Sequence, residues 1–193
     1  MKELKLVATI AAVGRFYQGL ALSPTGLLAA NGETLDVFDV AATLHNHASC
    51  LPEPVYSLSG SWRAKRLAWS PDGKRLAYVT REETGTASQV VIFDVAKRED
   101  LTRHTHHGRG PEACVDCVAW SPDGNYIAST TEEDQLHLWH ADSGALIKTR
   151  SVGYPFHFLC WSPDKRSFRE YLRLDDSSKK ADWLTNFICL RRE

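Results

Sequence analysis

The sequence has no apolar run near the roughly 18 residues a membrane-spanning helix needs, which sets aside helical membrane proteins. It also has little net charge. Lys and Arg total 23 and Asp and Glu total 24, leaving −1 at pH 7. Such a balance gives no electrostatic footprint for nucleic acid or for an anionic membrane surface. Cysteine is scarce and odd in number: Cys50, Cys114, Cys117, Cys160 and Cys189 show no disulfide-framework spacing. They read as reduced thiols of a cytosolic protein, acting as small buried hydrophobes. No Gly-x-Ser-x-Gly elbow is present, and no Gly-rich loop has a phosphate-cradling spacing. Ser57, Ser59 and Ser61 lie near Gly60, but no base is placed beside them by sequence. Residues 1–14 have a basic start and a short apolar run, but Glu3 and Lys5 interrupt it. The segment reads as a strand and not as a signal peptide.

What is present is repetition. The stretch Leu67-Ala68-Trp69-Ser70-Pro71-Asp72-Gly73 returns as Val118-Ala119-Trp120-Ser121-Pro122-Asp123-Gly124. Fainter copies are Leu20-Ala21-Leu22-Ser23-Pro24-Thr25-Gly26 and Leu159-Cys160-Trp161-Ser162-Pro163-Asp164. Each is an apolar run followed by a tight turn, where Pro presets φ and, in the first three units, Gly tolerates the closing geometry; the fourth has Lys165 there. The turn serines Ser23, Ser70, Ser121 and Ser162 stand 47, 51 and 41 residues apart.

Strands are expected over residues 4–11, 17–22, 27–30, 34–39 and 55–58, with Asn31-Gly32 as a hairpin signal. The second unit gives strands at 66–80 around its turn and at 89–94, the latter dense in β-branched residues. The third gives 114–120, 126–130, 135–139 and 145–152, and 156–161 opens one more unit. Residues 40–65 read as irregular, and 81–88 and 100–113 as polar loops. From Phe168 onward the pattern stops, leaving a charged tail that reads as helix or disordered. A period of 40 to 50 residues with four strands per unit signals a β-propeller, in which small twisted sheets pack face to face. The expected fold class is therefore all-β: a propeller of four-stranded antiparallel blades, incomplete at about three to four blades, over residues 1–167, with a non-repeat tail over 168–193.

On these residues the chain resembles the WD-repeat propeller family. The third unit matches best, through Trp120-Ser121-Pro122-Asp123-Gly124, Ile127-Ala128-Ser129 and Leu136-His137-Leu138-Trp139. Earlier units close with Phe38-Asp39 and Phe93-Asp94 in place of Trp-Asp. The Gly-His dipeptide of the family is missing: His107-Gly108 is reversed, and Gly110-Pro111 precedes the strand. The third unit ends Trp139-His140, and Glu132-Glu133-Asp134 replaces the favoured Asp-Gly. The family's buried Asp, His, Ser/Thr and Trp network is therefore expected to be weakened, with Trp139, Ser129 or Thr131, and a carboxylate at 133 or 134 as its candidate members. Residues 4–11 look like the outermost strand of a blade whose remaining strands come from the far end of a ring. A fragment of a longer propeller is expected, or an open fan whose exposed blade faces favour self-association.

The resemblance implies a non-enzymatic, cytoplasmic protein-interaction scaffold that needs no cofactor. Its partner would be a protein or peptide, not nucleic acid and not membrane. The family's loop face maps onto Arg63, Glu82, Glu83, His107, Arg109, Glu132 and Glu133. A zinc reading of His104, His106 and His107 with Cys114 and Cys117 is weak, since residues three apart on a strand point to opposite faces. The acidic pairs Glu82-Glu83, Glu132-Glu133 and Asp175-Asp176 read as solvated turn residues. The aromatic-Asp ends read as packing rings with turn-serving carboxylates, and Trp69, Trp120 and Trp161 as packing residues. The competing class is an enzyme-associated or periplasmic propeller; a truncated product without independent function is a third reading.

Overall fold

The computed structural model describes residues 9–10, 17–45, 50–51, 53–59, 67–81, 88–106, 115–131, 135–151, 158–161 and 187–190. A short strand β1 (Thr9–Ile10) precedes the first blade, which holds β2 (Gly19–Leu22), β3 (Leu27–Asn31) and β4 (Thr34–Asp39). Helix α1 (Val40–His45) and a short β5 (Cys50–Leu51) lead to its fourth strand, β6 (Tyr56–Ser59). The second blade is β7 (Leu67–Trp69), β8 (Arg75–Arg81), β9 (Ser88–Asp94) and β10 (Glu99–His106). The third is β11 (Val115–Trp120), β12 (Tyr126–Thr131), β13 (Gln135–His140) and β14 (Leu146–Ser151). The strands β15 (Phe158–Trp161) and β16 (Phe187–Leu190) follow. Each blade is a four-stranded sheet paired antiparallel throughout in chain order, and no sheet closes on itself among the described residues. The all-β, incomplete propeller is what the repeat period predicts.

The two-residue alternation of a strand explains the stacking. In the second blade Leu76, Tyr78, Val91 and Phe93 point toward the first blade and pack with Ala29, Leu35, Val37 and Trp69. The residues between them, Ala77, Val79, Val90 and Ile92, point the other way, against Val115, Val118, Trp120, Ile127 and Trp139 of the third blade. A central blade is buried on both faces, so β8 and β9 read as nearly continuous apolar runs. Ala128 and Leu136 continue the stack onto Leu159 and Trp161 of β15.

Four features depart from the sequence expectation. Residues 99–106, read as polar loop, form β10, an eight-residue strand. The connection after Asp39 holds α1, capped where the Ala42 N–H donates to Asp39 Oδ1 at 2.7 Å. The expected outermost strand at 4–11 is described only at Thr9–Ile10, which pairs parallel with Cys50–Leu51 and not with the far end of the chain. Within the tail read as helix or disordered, Phe187–Leu190 is a strand parallel to β15.

Candidate functional site

The seven loop residues proposed from sequence (Arg63, Glu82, Glu83, His107, Arg109, Glu132 and Glu133) all lie outside the described residues. What the structure does describe is the turn face, the inter-blade junctions and the outer strands.

On the turn face the repeated motif is a side-chain clip. The Ser70 hydroxyl donates to Asp72 Oδ1 at 2.5 Å and accepts from the Arg75 N–H at 2.9 Å, while Asp72 also accepts from the Lys74 N–H at 3.1 Å. Ser121, Asp123, Asn125 and Tyr126 repeat the pattern at 2.6, 3.1 and 2.9 Å. In the first blade Thr25 takes the Asp position, its hydroxyl 2.9 Å from that of Ser23. Burial works against the Asp72 carboxylate. The Ser70 hydroxyl, the Lys74 N–H and the charges of Arg75 and Lys74 outweigh it and hold its pKa below the usual carboxylate range. Gly73 closes its turn at φ 70°, and a Cβ there would meet Thr25 of the neighbouring turn at 2.7 Å. The turns therefore nest against one another and act as scaffold.

Every junction carries the same tie. Trp69 Nε1 donates to the Ala21 carbonyl at 2.8 Å, Trp120 Nε1 to Ala68 at 2.9 Å, and Trp161 Nε1 to Ala119 at 3.1 Å. Each indole caps the first strand of its own blade and reaches the same position in the blade before. Tryptophan is suited to this because it buries a large ring yet keeps one N–H that needs an acceptor. The sequence marks these residues as packing groups; the hydrogen bond follows only from the stacking. At the corresponding position the first blade has Leu22, which is 64% exposed beside Leu20 at 60%.

The junction of the second and third blades holds groups that sequence reasoning missed. Arg75 donates to Asp142 Oδ1 at 2.5 Å and to the Gly124 carbonyl at 3.1 Å, with its guanidinium 4.7 Å from the centre of the Trp120 ring. The His104 ring of β10 stacks on Trp139, centroids 4.9 Å apart and 17° from parallel. His137 meets His104 edge to face at 5.9 Å. Burial first, and the neighbouring His104 second, push the His137 pKa below its ordinary value. Trp139 Nε1 donates to the buried Ser129 hydroxyl at 3.3 Å, the described part of the expected polar network. Its carboxylate candidates at 133 and 134 lie outside the described residues. The signal that was available for His104 is its place in a fourth strand, hidden by the polar composition of 100–113.

The arrangement offers recognition surfaces. Asn125, Tyr126, His140, Asp142 and Ser143 line an open cleft of about 390 Å³. Cys117 is buried in β11, on the strand face opposite Val118 and Trp120, while Cys114 and His107 of the zinc reading lie outside the described residues. Among the described residues no group of three or more His, Cys, Asp or Glu could hold a metal ion. No helix among them is long and apolar enough to cross a membrane.

Blades of this form, stacked through repeated turn motifs, define a β-propeller of the WD type. Residues 92–164 match the model of the anaphase-promoting complex subunit 4 WD40 domain. The chain is 29% identical over 146 residues to the WD repeat-containing protein slp1 of Schizosaccharomyces pombe, covering 73% of this chain and 28% of that protein. It is 32% identical over 105 residues to protein HIR1 of Cryptococcus neoformans, covering 51% of this chain and 11% of that protein. Among solved structures, the RRP9 WD40 repeats superpose with a TM-score of 0.55 at 15% identity, covering 70% of this chain and 38% of that one. U3-55K does so with a TM-score of 0.56 at 14% identity, covering 74% and 40%. Together these matches support a WD-repeat family for the chain. It spans well under half the length of these relatives. WD-repeat proteins generally act as protein-interaction scaffolds.

Proposed function

We propose that the chain is a non-enzymatic, cytoplasmic interaction scaffold that binds a protein or peptide through the loop face bearing Arg63, Glu82, Glu83, His107, Arg109, Glu132 and Glu133. Residues 1–167 would form the propeller part and 168–193 a segment outside the repeat. The observation that carries this reading is the use of the recurring polar groups. The Ser, Asp and Trp of the second and third blades spend their hydrogen bonds on clips and inter-blade ties, which builds a rigid support for loops. Loops on a rigid scaffold are where recognition concentrates. The mixed charge of the set suits a polypeptide partner better than a polyanion. The test is capture of a partner by the full chain and by a variant combining Arg63→Glu, Glu132→Lys and Glu133→Lys. At least a tenfold loss is expected in the variant, with an unchanged melt; equal capture would sink the loop-face assignment.

A second reading has the blades working only as part of a larger ring. Its support is the exposed Leu20 and Leu22 on the outward face of the first blade, together with the coverage of about two fifths of the solved propellers. Self-association through such faces is then expected, and light scattering on the purified chain reads it directly. A monodisperse monomer with a cooperative melt would remove this reading.

A further inference from the structure

We propose that the open edge of β14 binds an acidic, extended peptide by strand addition. This surface is the outer rim of the third blade, and the inference does not rest on the loop-face reading. Strand β14 ends its sheet, with β13 on one side and no described strand on the other. All six of its residues, Leu146 to Ser151, are exposed. An edge of this kind presents unpaired N–H and C=O groups as a template for another strand.

The other outer strands are closed to such an addition. Strand β6 has only four residues. Strand β10 is bulged between Asp100 and Thr102, and its Thr102 and His104 lie against the Asp142 and Gly144 carbonyls of the third blade. Strand β14 has a bulge of its own beside Leu146, but it pairs regularly with β13 along Lys148 to Ser151, and no hydrogen bond to a neighbouring blade covers these residues among those described.

Its side chains choose the partner. Lys148 and Arg150 pair with Leu138 and Leu136, so they share one face, and neither forms a salt bridge among the described residues. Thr149 and Ser151 occupy the other face, and Leu146 and Ile147 add apolar area, 50% and 44% exposed, at the start of the strand. Pairing with a second copy, basic face to basic face, sets Lys148 against Arg150, and like charges directly opposite are unfavourable. A strand with carboxylates at alternate positions reverses that sign, because opposite charges across a strand pair attract. Val or Ile between the carboxylates would suit the extended form.

Fluorescence anisotropy with the full chain tests this, using a labelled decapeptide alternating Glu and Val. Its Lys-Val counterpart and its fully N-methylated form are the controls. The Glu-Val peptide is expected to bind at least tenfold more tightly than either. The pair Lys148→Glu and Arg150→Glu should reverse the preference to the Lys-Val peptide, and Lys148→Ala with Arg150→Ala should weaken Glu-Val binding at least tenfold. These are exposed positions, so the melts should be unchanged. Absence of Glu-Val binding, equal binding by the alanine variant, or full binding of the N-methylated peptide would each overturn the proposal. So would loss of binding in the Arg63→Glu, Glu132→Lys, Glu133→Lys variant, which would move the site to the loop face.

Discussion

The junction between the first and second blades and that between the second and third share one architecture and differ in how they are sealed. Both bury an apolar core between alternating strand faces, and both carry the indole-to-carbonyl tie. The first is closed by tyrosines. Tyr56 lies 6.0 Å from Phe93 and beneath Arg98, and burial, partly offset by the Arg98 charge, pushes its pKa up to about 12. Tyr78 donates to Asp100 at 2.8 Å; burial, then the charge and hydrogen bond of Asp100, push its pKa well up. The second is closed by His104 and His137 against Trp139. A phenol stays neutral across the physiological range, whereas an imidazole does not. One repeat thus supports a pH-indifferent joint and a pH-responsive joint side by side.

The strongest way to break the comparison is to empty each core. Phe93→Ala and Trp139→Ala should each cost about 3–5 kcal/mol, the range for aromatic truncation in a packed core, read by urea denaturation. If Trp139→Ala cost far less than Phe93→Ala, the histidine-sealed junction would not be a core of equal rank. Smaller effects come from the turn clips. Ser70→Ala and Ser121→Ala should each cost about 0.5–1.5 kcal/mol, because each removes the hydrogen bonds of a half-buried clip. Ser23→Ala, which meets Thr25 in place of an Asp, should cost less.

Between about pH 7 and 5, acid should act first on the histidine-sealed junction. The folded-state pKa of His137 lies below its unfolded value near 6.5. Its contribution is therefore fully present above that value and is lost as pH falls from there toward the lowered folded pKa. The charge of the neighbouring His104 works in the same direction as burial. His137→Gln should flatten the fall in stability between about pH 7 and 5, and Tyr78→Phe should leave that slope unchanged. A slope unaltered by His137→Gln would remove the pH distinction. The smallest effect is at the rim. Asp142→Asn should shift stability by under about 1 kcal/mol, since its carboxylate is largely exposed and such pairs are weak. Arg75→Ala should cost more, because it also removes the guanidinium from the Trp120 ring.

The blades were legible because their middle strands obey strong local rules. Val90, Val91, Ile92 and Phe93 are apolar on both faces, and Ser-Pro-Asp-Gly carries its own turn geometry. The aromatic-Asp ends were legible in role as well: Phe93 is buried, and Asp94 accepts from the Lys97 N–H at 2.9 Å in the following turn. Strand β10 was hidden because its inward residues, Thr102 and His104, make polar and stacking contacts with the next blade. Those contacts exist only once two blades meet, so no apolar alternation announces them. Helix α1 escaped for a related reason. Six residues are too few for a periodic signal, and an Asp at a strand end signals a turn as readily as the helix cap that Asp39 forms here. The Arg75–Asp142 pair joins residues 67 positions apart, which no local pattern reaches.

The indole tie has a consequence for how chains of this kind change over time. Its donor comes from one repeat and its acceptor is the main chain of the repeat before, a carbonyl that any residue supplies. A whole unit could therefore be duplicated or lost at a repeat boundary with every remaining tryptophan still facing an acceptor. The number of blades is then free to drift in evolution, while the spacing between neighbours stays fixed.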